Sequence, residues 1–457
     1  MRLPEQLIES LEGVPGFDKE SFINVHQSGE QVTSIRVNPS KQDRADSFSL
    51  QQVPWSRYGY YLEKRPSFTF DPLFHAGCYY VQEASSMFLE QALLQCVDTT
   101  QSLKILDLCA APGGKSTHLQ SLISADSLLV SNEVIKNRAS VLKQNIIKWG
   151  CNNVVVTNND PQHFARLEAF FDVMVVDAPC SGSGLFRRDE NAIQEWSIDN
   201  VQLCHARQQR ILTDALPCLK EGGVLIYSTC SYSKEEDEDV LDWLVENLYL
   251  ESLPLELKEE WQIVETISPT QRAKGYRFYP DKLQGEGFFL ACFRKREGPS
   301  KEKYKTSKPE LASKQEVAAL RPWMDVNGLS ILKHQERVLA LPETLLDAFT
   351  IIQNTLYIQY AGVDVGELIR DKLIPAHALA LSPLANQGVP RTELGYEQAI
   401  KYLQRQEFNV ESEKGWQLVT YKGHTLGWMN ALPNRINNYY PKEMRILKQK
   451  NDTRLEN

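Results

Sequence analysis

Two cysteines define the chemistry open to this chain. Asp177-Ala178-Pro179-Cys180-Ser181-Gly182-Ser183-Gly184 and Tyr227-Ser228-Thr229-Cys230-Ser231 each complete a short apolar run, Val173–Val176 and Val224–Tyr227, of the kind that forms a buried parallel strand. Residues just past the carboxyl ends of such strands face one crevice, where open α/β sheets bind ligands. Both thiols are therefore expected in that crevice, although they lie far apart in the chain. Beside them belongs a third stretch, Ile105-Leu106-Asp107-Leu108-Cys109-Ala110-Ala111-Pro112-Gly113-Gly114-Lys115-Ser116-Thr117. It reads as a strand, a tight small-residue turn and the start of an amphipathic helix carrying Leu119, Leu122 and Ile123. Glycines there let a nucleotide-like ligand approach the backbone.

Two chemistries compete for that turn. Gly114-Lys115-Ser116 resembles the end of a phosphate-cradling loop, but Cys109 stands where that loop needs its first glycine. The other is the cofactor turn of a doubly wound methyltransferase, with Asp107 and the loop backbone holding S-adenosylmethionine. Glu133, just beyond the second strand, is placed to accept hydrogen bonds from ribose hydroxyls. Asp160, in Asn158-Asn159-Asp160, is placed to meet the adenine amine or to serve as a plain turn acid.

A methyltransferase has a use for two thiols. Carbon 5 of a pyrimidine is too poor a nucleophile to take a methyl group from a sulfonium. A thiolate added at carbon 6 turns the ring into an enamine whose carbon 5 can attack. The adduct then loses its carbon-5 proton and expels the first thiol, which a second thiol can assist. Asp177, at the N3 edge of the ring by position, would favour addition if protonated or hydrogen-bonded, and Lys115 would lower a neighbouring thiol's pKa. Position alone leaves open which cysteine attacks. Cys96, Cys204, Cys218 and Cys292 fall inside apolar elements and read as inert packing. Ser233-Lys234-Glu235-Glu236 reads as a capping box ahead of a helix, its acids serving the helix start. Arg187 and Arg188 are candidates for phosphate or base contact, or plain surface charges.

The elements that position these residues alternate. Strands are expected at Ile105–Leu108, Leu128–Val130, Val154–Val156, Val173–Val176, Val224–Tyr227 and Phe288–Phe293, with helices near 115–123, 134–149, 192–218 and 235–247. This alternation argues an α/β, doubly wound Rossmann-like sheet with helices on both faces, the fold that the class I methyltransferase reading of the turn calls for. Residues 1–100 read as a small N-terminal α/β subdomain of RNA-binding type, with a helix at Leu7 and Leu11, a strand at Val32–Val37 and aromatics between Trp55 and Phe70 that suit a core. The methyltransferase unit spans 101–296 and a basic linker 297–315. A small α+β module follows at 316–385, with a strand at Leu356–Tyr360, then a second module at 386–450 with a hairpin at Trp416–Tyr421 and Leu426–Leu432. The tail after Lys448 is expected to fray.

The 457 residues carry a formal net charge of −9, which argues against a general nucleic-acid coat but leaves room for one local basic face, such as Arg294-Lys295-Arg296 with Lys301, Lys303, Lys305 and Lys308. Nine scattered cysteines form neither a disulfide framework nor a zinc pattern, so no metal is expected. No apolar run reaches membrane-span length and Met1–Gly13 lacks a secretory core, so a cytoplasmic protein without membrane contact is expected.

Taken together, Leu106-Asp107-Leu108-Cys109-Ala110-Ala111-Pro112-Gly113-Gly114-Lys115, Asp177-Ala178-Pro179-Cys180-Ser181-Gly182 and Ser228-Thr229-Cys230-Ser231 resemble the cofactor, fourth and sixth motifs of the Nop/Sun-type RNA cytosine-C5 methyltransferases. The resemblance covers about 75 to 296. It implies Cys230 as nucleophile, Cys180 as release thiol, and cofactor contacts at Cys109, Ala110, Ala111, Pro112, Gly113, Gly114, Lys115, Glu133, Asp160 and Asp177. Where that family often reads Pro-Glu-Glu-Asn, this chain has Lys234-Glu235-Glu236-Asp237. Gly423-His424-Thr425-Leu426-Gly427-Trp428, Asn434-Arg435 and Tyr439-Tyr440-Pro441 look like the PUA-like end of the bacterial RsmF/YebU-type 16S rRNA enzymes, which implies RNA docking; the alternative is a hairpin whose Trp428 and tyrosines fill its own core. The expected activity is methyl transfer to carbon 5 of a cytosine in RNA, 16S rRNA or the small ribosomal subunit, by a monomer. The competing readings are a non-catalytic rRNA-binding assembly factor and a tRNA or DNA cytosine-C5 methyltransferase, the DNA enzymes attacking with the cysteine that corresponds to Cys180.

Overall fold

The computed structural model describes residues 3–41, 51–298, 304, 306–334 and 337–448. The tail beyond Lys448 and most of the basic run at 299–305 lie outside the described residues. Among the described residues the strands form four sheets. The first, β1 (Thr33–Val37), β2 (Gly59–Leu62) and β3 (Tyr79–Val81), is antiparallel with β1 in the middle. Arg36 in β1 is buried and reaches the glycine-rich turn, donating to Thr117 Oγ1 at 2.6 Å and Gly114 O at 3.3 Å. The N-terminal sheet thus fixes the helix (Gly114–Gln120) that follows that turn.

The central sheet is ten-stranded. Its parallel part is β4 (Lys104–Asp107), β5 (Leu128–Asn132), β6 (Val154–Thr157), β7 (Phe171–Asp177) and β8 (Leu219–Thr229), in the order β8-β7-β4-β5-β6. The order reverses between β4 and β7, which opens a crevice at their carboxyl ends. Successive residues serve opposite faces: Val173 and Val175 pack in one core, Met174 and Val176 in the other. The expected doubly wound architecture is present.

Two additions were not anticipated from the sequence. On one side, β9 (Leu250–Leu253), β10 (Val264–Ile267) and β11 (Lys274–Phe278) precede β12 (Phe288–Lys295), and all these join antiparallel. Only the last was expected. After β13 (Leu329–His334) and β14 (Arg337–Pro342), β15 (Ile358–Ala361) pairs antiparallel with β6. The strand expected in a separate C-terminal module is instead the edge strand of the catalytic sheet.

Strands β13 and β14 form the third sheet with β16 (Val363–Ile369) and β17 (Lys372–Pro375). The fourth holds β18 (Arg391–Glu393), β19 (Gly415–Tyr421), β20 (His424–Leu432) and β21 (Arg435–Asn438), with the expected hairpin at β19–β20. Trp428 and Tyr440 are fully buried and fill the core there, whereas Tyr439 is exposed against Trp416. Lys295, expected in a basic surface run, is buried and donates to Leu216 O and Leu219 O.

Candidate active site

The crevice is built at the ends of β4, β5, β6, β7 and β8. Gly113 adopts φ 113°, a left-handed conformation that a side chain would strain, and the Ala111–Pro112 peptide is cis. The turn is anchored from the helix Lys136–Trp149, where Arg138 donates to Ala111 O and Asn145 to Pro112 O. Asn132, at the end of β5, ties three strand ends together. Its amide donates to Leu108 O and Asn159 O and accepts from Thr157 Oγ1 and Asn159 N. No motif singled this residue out; only its place beside Glu133 marks it.

Asp107 is fully buried, and burial pushes its carboxyl up to about 7. Oδ2 accepts from Ser116 Oγ at 2.7 Å, while Oδ1 has no partner. A buried acceptor without a donor is costly, and it fits a turn made to receive a polar ligand. Glu133 is buried beyond β5, taking the Ile135 N–H at 2.9 Å and facing Arg138 at 3.4 Å. Asp160 caps the turn after β6, accepting from Gln162 N, with Arg210 at 3.7 Å. Burial pushes the Cys109 thiol up, so this sulfur is held neutral.

At the other side of the crevice Cys180 Sγ and Cys230 Sγ lie 3.0 Å apart, both partly accessible. The Cys230 sulfur, and then burial, hold the Cys180 thiol well above its ordinary value. Either thiol can donate across this contact. Lys115 Nζ pairs with Asp177 Oδ2 at 2.8 Å and lies over the Phe288 ring at 5.2 Å. Burial opposes its charge, but Asp177, Asp107 and Cys230 outweigh that and hold the ammonium above its ordinary range. Asp177 Oδ1 accepts from Ser228 Oγ at 2.9 Å. The thiol whose charge acts on Lys115 is that of Cys230.

Gly184 donates to Cys230 O at 2.8 Å, and a Cβ there would stand 2.4 Å from Gly287 O, so the loops meet only because both positions lack side chains. Behind them, buried Arg277 in β11 forks onto Glu238, faces Asp237 at 3.2 Å and donates to Tyr232 O at 2.9 Å. Removing one member of such a buried set costs about 3–5 kcal/mol, because a charge is left uncompensated.

Two expectations fail here. The capping box at Ser233–Glu236 is not formed. The helix (Glu238–Leu248) starts later without a side-chain cap, and Glu236 turns instead to Ser181 and Ser231. Arg187 contacts no open surface; it is buried, donating to Gly285 O and Glu30 O and facing Glu286 at 3.6 Å. Arg188 is only half-buried.

A class I sheet with its glycine-rich turn, buried acids and thiol pair defines an S-adenosylmethionine-dependent methyltransferase. The profile of the 16S rRNA methyltransferase RsmB/F family matches residues 93–294, that of the N-terminal domain of 16S rRNA methyltransferase RsmF residues 3–84, and that of the methyltransferase RsmF PUA domain residues 389–446. The chain belongs to this RsmF-type branch of the Nop/Sun methyltransferases. It is similar to ribosomal RNA small subunit methyltransferase F of Aeromonas salmonicida, 31% identical over 443 residues and 90% of each chain. The enzyme of the same description from Psychromonas ingrahamii is 30% identical over 480 residues and 97% of each chain. A solved methyltransferase homolog protein from Pyrococcus horikoshii is 29% identical with TM-score 0.51, covering 64% of this chain and all of that one. Among the described residues no helix is long and apolar enough to cross a membrane.

Proposed function

We propose that this rRNA methyltransferase methylates carbon 5 of a cytosine in 16S rRNA, with Cys230 as nucleophile and Cys180 assisting release. The observation that carries the reading is the 3.0 Å approach of the two sulfurs beside Lys115 and Asp177. In this reading the target base leaves its stack to enter the crevice. Cys230 as thiolate adds to carbon 6, and its electron pair makes carbon 5 nucleophilic. Lys115 supplies positive charge beside that sulfur, and Asp177, held by Lys115 and Ser228, faces the N3 edge of the base. When bound, S-adenosylmethionine supplies an electrophilic methyl group. Asp107, Glu133, Asp160 and the Cys109–Lys115 turn are the residues that would hold it. Carbon 5 then loses its proton to a base, the C6–S bond breaks, and its electron pair returns to Cys230 under a hydrogen bond from Cys180.

The PUA-like end presents Tyr439 and Arg435 on its surface and is the natural docking face for the RNA. Bisulfite mapping of 16S rRNA after incubation with wild type or Cys230→Ala tests the reading. One new protected cytosine with wild type and none with the variant supports it; full methylation by the variant removes it.

A further inference from the structure

Glu236 belongs to none of the residues assigned above, yet it is fully buried between the two cysteine loops. Its Oε1 accepts from Ser181 N at 2.7 Å and Gln208 Nε2 at 3.3 Å. Its Oε2 accepts from Ser181 Oγ at 2.5 Å and Ser231 Oγ at 2.6 Å. All four partners donate, which suits an ionised, acceptor-only carboxylate. Ser181 is the residue after Cys180, and Ser231 the residue after Cys230. One side chain therefore spans the ends of β7 and β8 a single residue away from each sulfur. Gln208, on the helix Ile198–Ala215, also donates to Pro179 O at 3.0 Å, which braces the same loop from behind.

We propose that Glu236 is a positioning residue whose carboxylate ties Ser181 to Ser231 and so sets the separation of the Cys180 and Cys230 sulfurs. Burial pushes this carboxyl above its usual range while the hydrogen bonds from Ser181, Ser231 and Gln208 pull it back, so the clamp depends on keeping all its donors. One lost hydrogen bond to a charged group is enough to shift a local equilibrium about tenfold or more. The proposal rests on the two thiols being the reacting pair, but its geometry is measurable without RNA.

The experiment is disulfide capture on the full chain. Diamide accepts two electrons and two protons from Cys180 and Cys230, which become a disulfide while diamide becomes its hydrazine. Alkylation followed by mass mapping gives the capture rate at that pair. Wild type is expected to close rapidly, and Glu236→Ala about tenfold or more slowly. Glu236→Gln can still accept from Ser181 N and donate to the hydroxyls, so it returns to within about threefold of wild type. Circular dichroism checks the fold; if Glu236→Ala does not fold, Ser231→Ala removes one arm of the clamp and is scored the same way. Capture at the wild-type rate in a folded Glu236→Ala or Ser231→Ala protein overturns the proposal. If wild type methylates no cytosine, the function reading fails while the capture rates still decide the clamp. If wild type methylates and the variants capture normally, the clamp alone fails.

Discussion

On the proposed mechanism, replacing Cys180 by alanine separates attack on the base from release of the product. The Cys230 sulfur and burial hold the Cys180 thiol well above its ordinary value, and it lies 3.0 Å from the sulfur proposed to depart. A proton donor positioned in this way contributes roughly 10²- to 10⁴-fold. At 1.36 kcal/mol per factor of ten, that is about 2.7–5.4 kcal/mol of barrier on the release step. Attack depends on Cys230 beside Lys115 and is affected less, so the variant is expected to load RNA and stall. Denaturing gels of labelled RNA with cofactor and Cys180→Ala protein should show a shifted band that survives boiling and decays at least about a hundredfold more slowly than wild-type turnover. The Cys180→Ala, Cys230→Ala double variant should show no band. Multiple turnover by Cys180→Ala within about threefold of wild type, with no band, would refute the release role. A band formed by Cys230→Ala alone would mean that Cys180 attacks.

Glu133→Ala removes a buried acceptor that we propose holds the cofactor ribose. Losing hydrogen bonds to a charged group predicts a rise of about ten- to a hundredfold in the Kd of S-adenosylmethionine by calorimetry, and an unchanged Kd would exclude that contact. Stability should also fall in acid. Burial depresses His75 to about 4 and His377 to about 3, and both meet Tyr440 where the N-terminal region touches the PUA-like end. Groups lowered in the folded state hold stability above their unfolded pKa of about 6.5 and lose it as pH falls toward the folded values, by up to about 3 kcal/mol for His75 and about 5 kcal/mol for His377. Urea midpoints should therefore drop between about pH 6.5 and about pH 4, and less so in His75→Phe; a midpoint that stays level across that window contradicts the assignment.

The crevice was legible in the sequence because its chemistry sits at strand ends, and a buried parallel strand announces itself by composition alone. Cys180, Cys230, Lys115 and Asp177 come together for that reason. Glu236 was hidden by a local pattern. Ser, then Glu three residues on, before an apolar helix, is the signature of a capping box, and only the fold shows that the acid finds better donors across the crevice. Arg187 was misjudged because an arginine beside a loop looks solvated until Glu286 and two carbonyls enclose it. The strands β10 and β11 are short, with little alternation to reveal them, and β15 pairs with a strand some two hundred residues upstream, a contact that no window of sequence contains.

That last pairing has a consequence for how the molecule can be divided. All four residues of β6 are buried, and its outer backbone edge is completed by β15. Severing the chain after residue 298 would leave this apolar rim with dangling amides and carbonyls, a surface prone to zip onto another molecule. The catalytic half is thus no freestanding cassette. The same shared rim joins the segment that follows residue 298 to the sheet whose strand ends carry the thiols, so the two are fastened backbone to backbone.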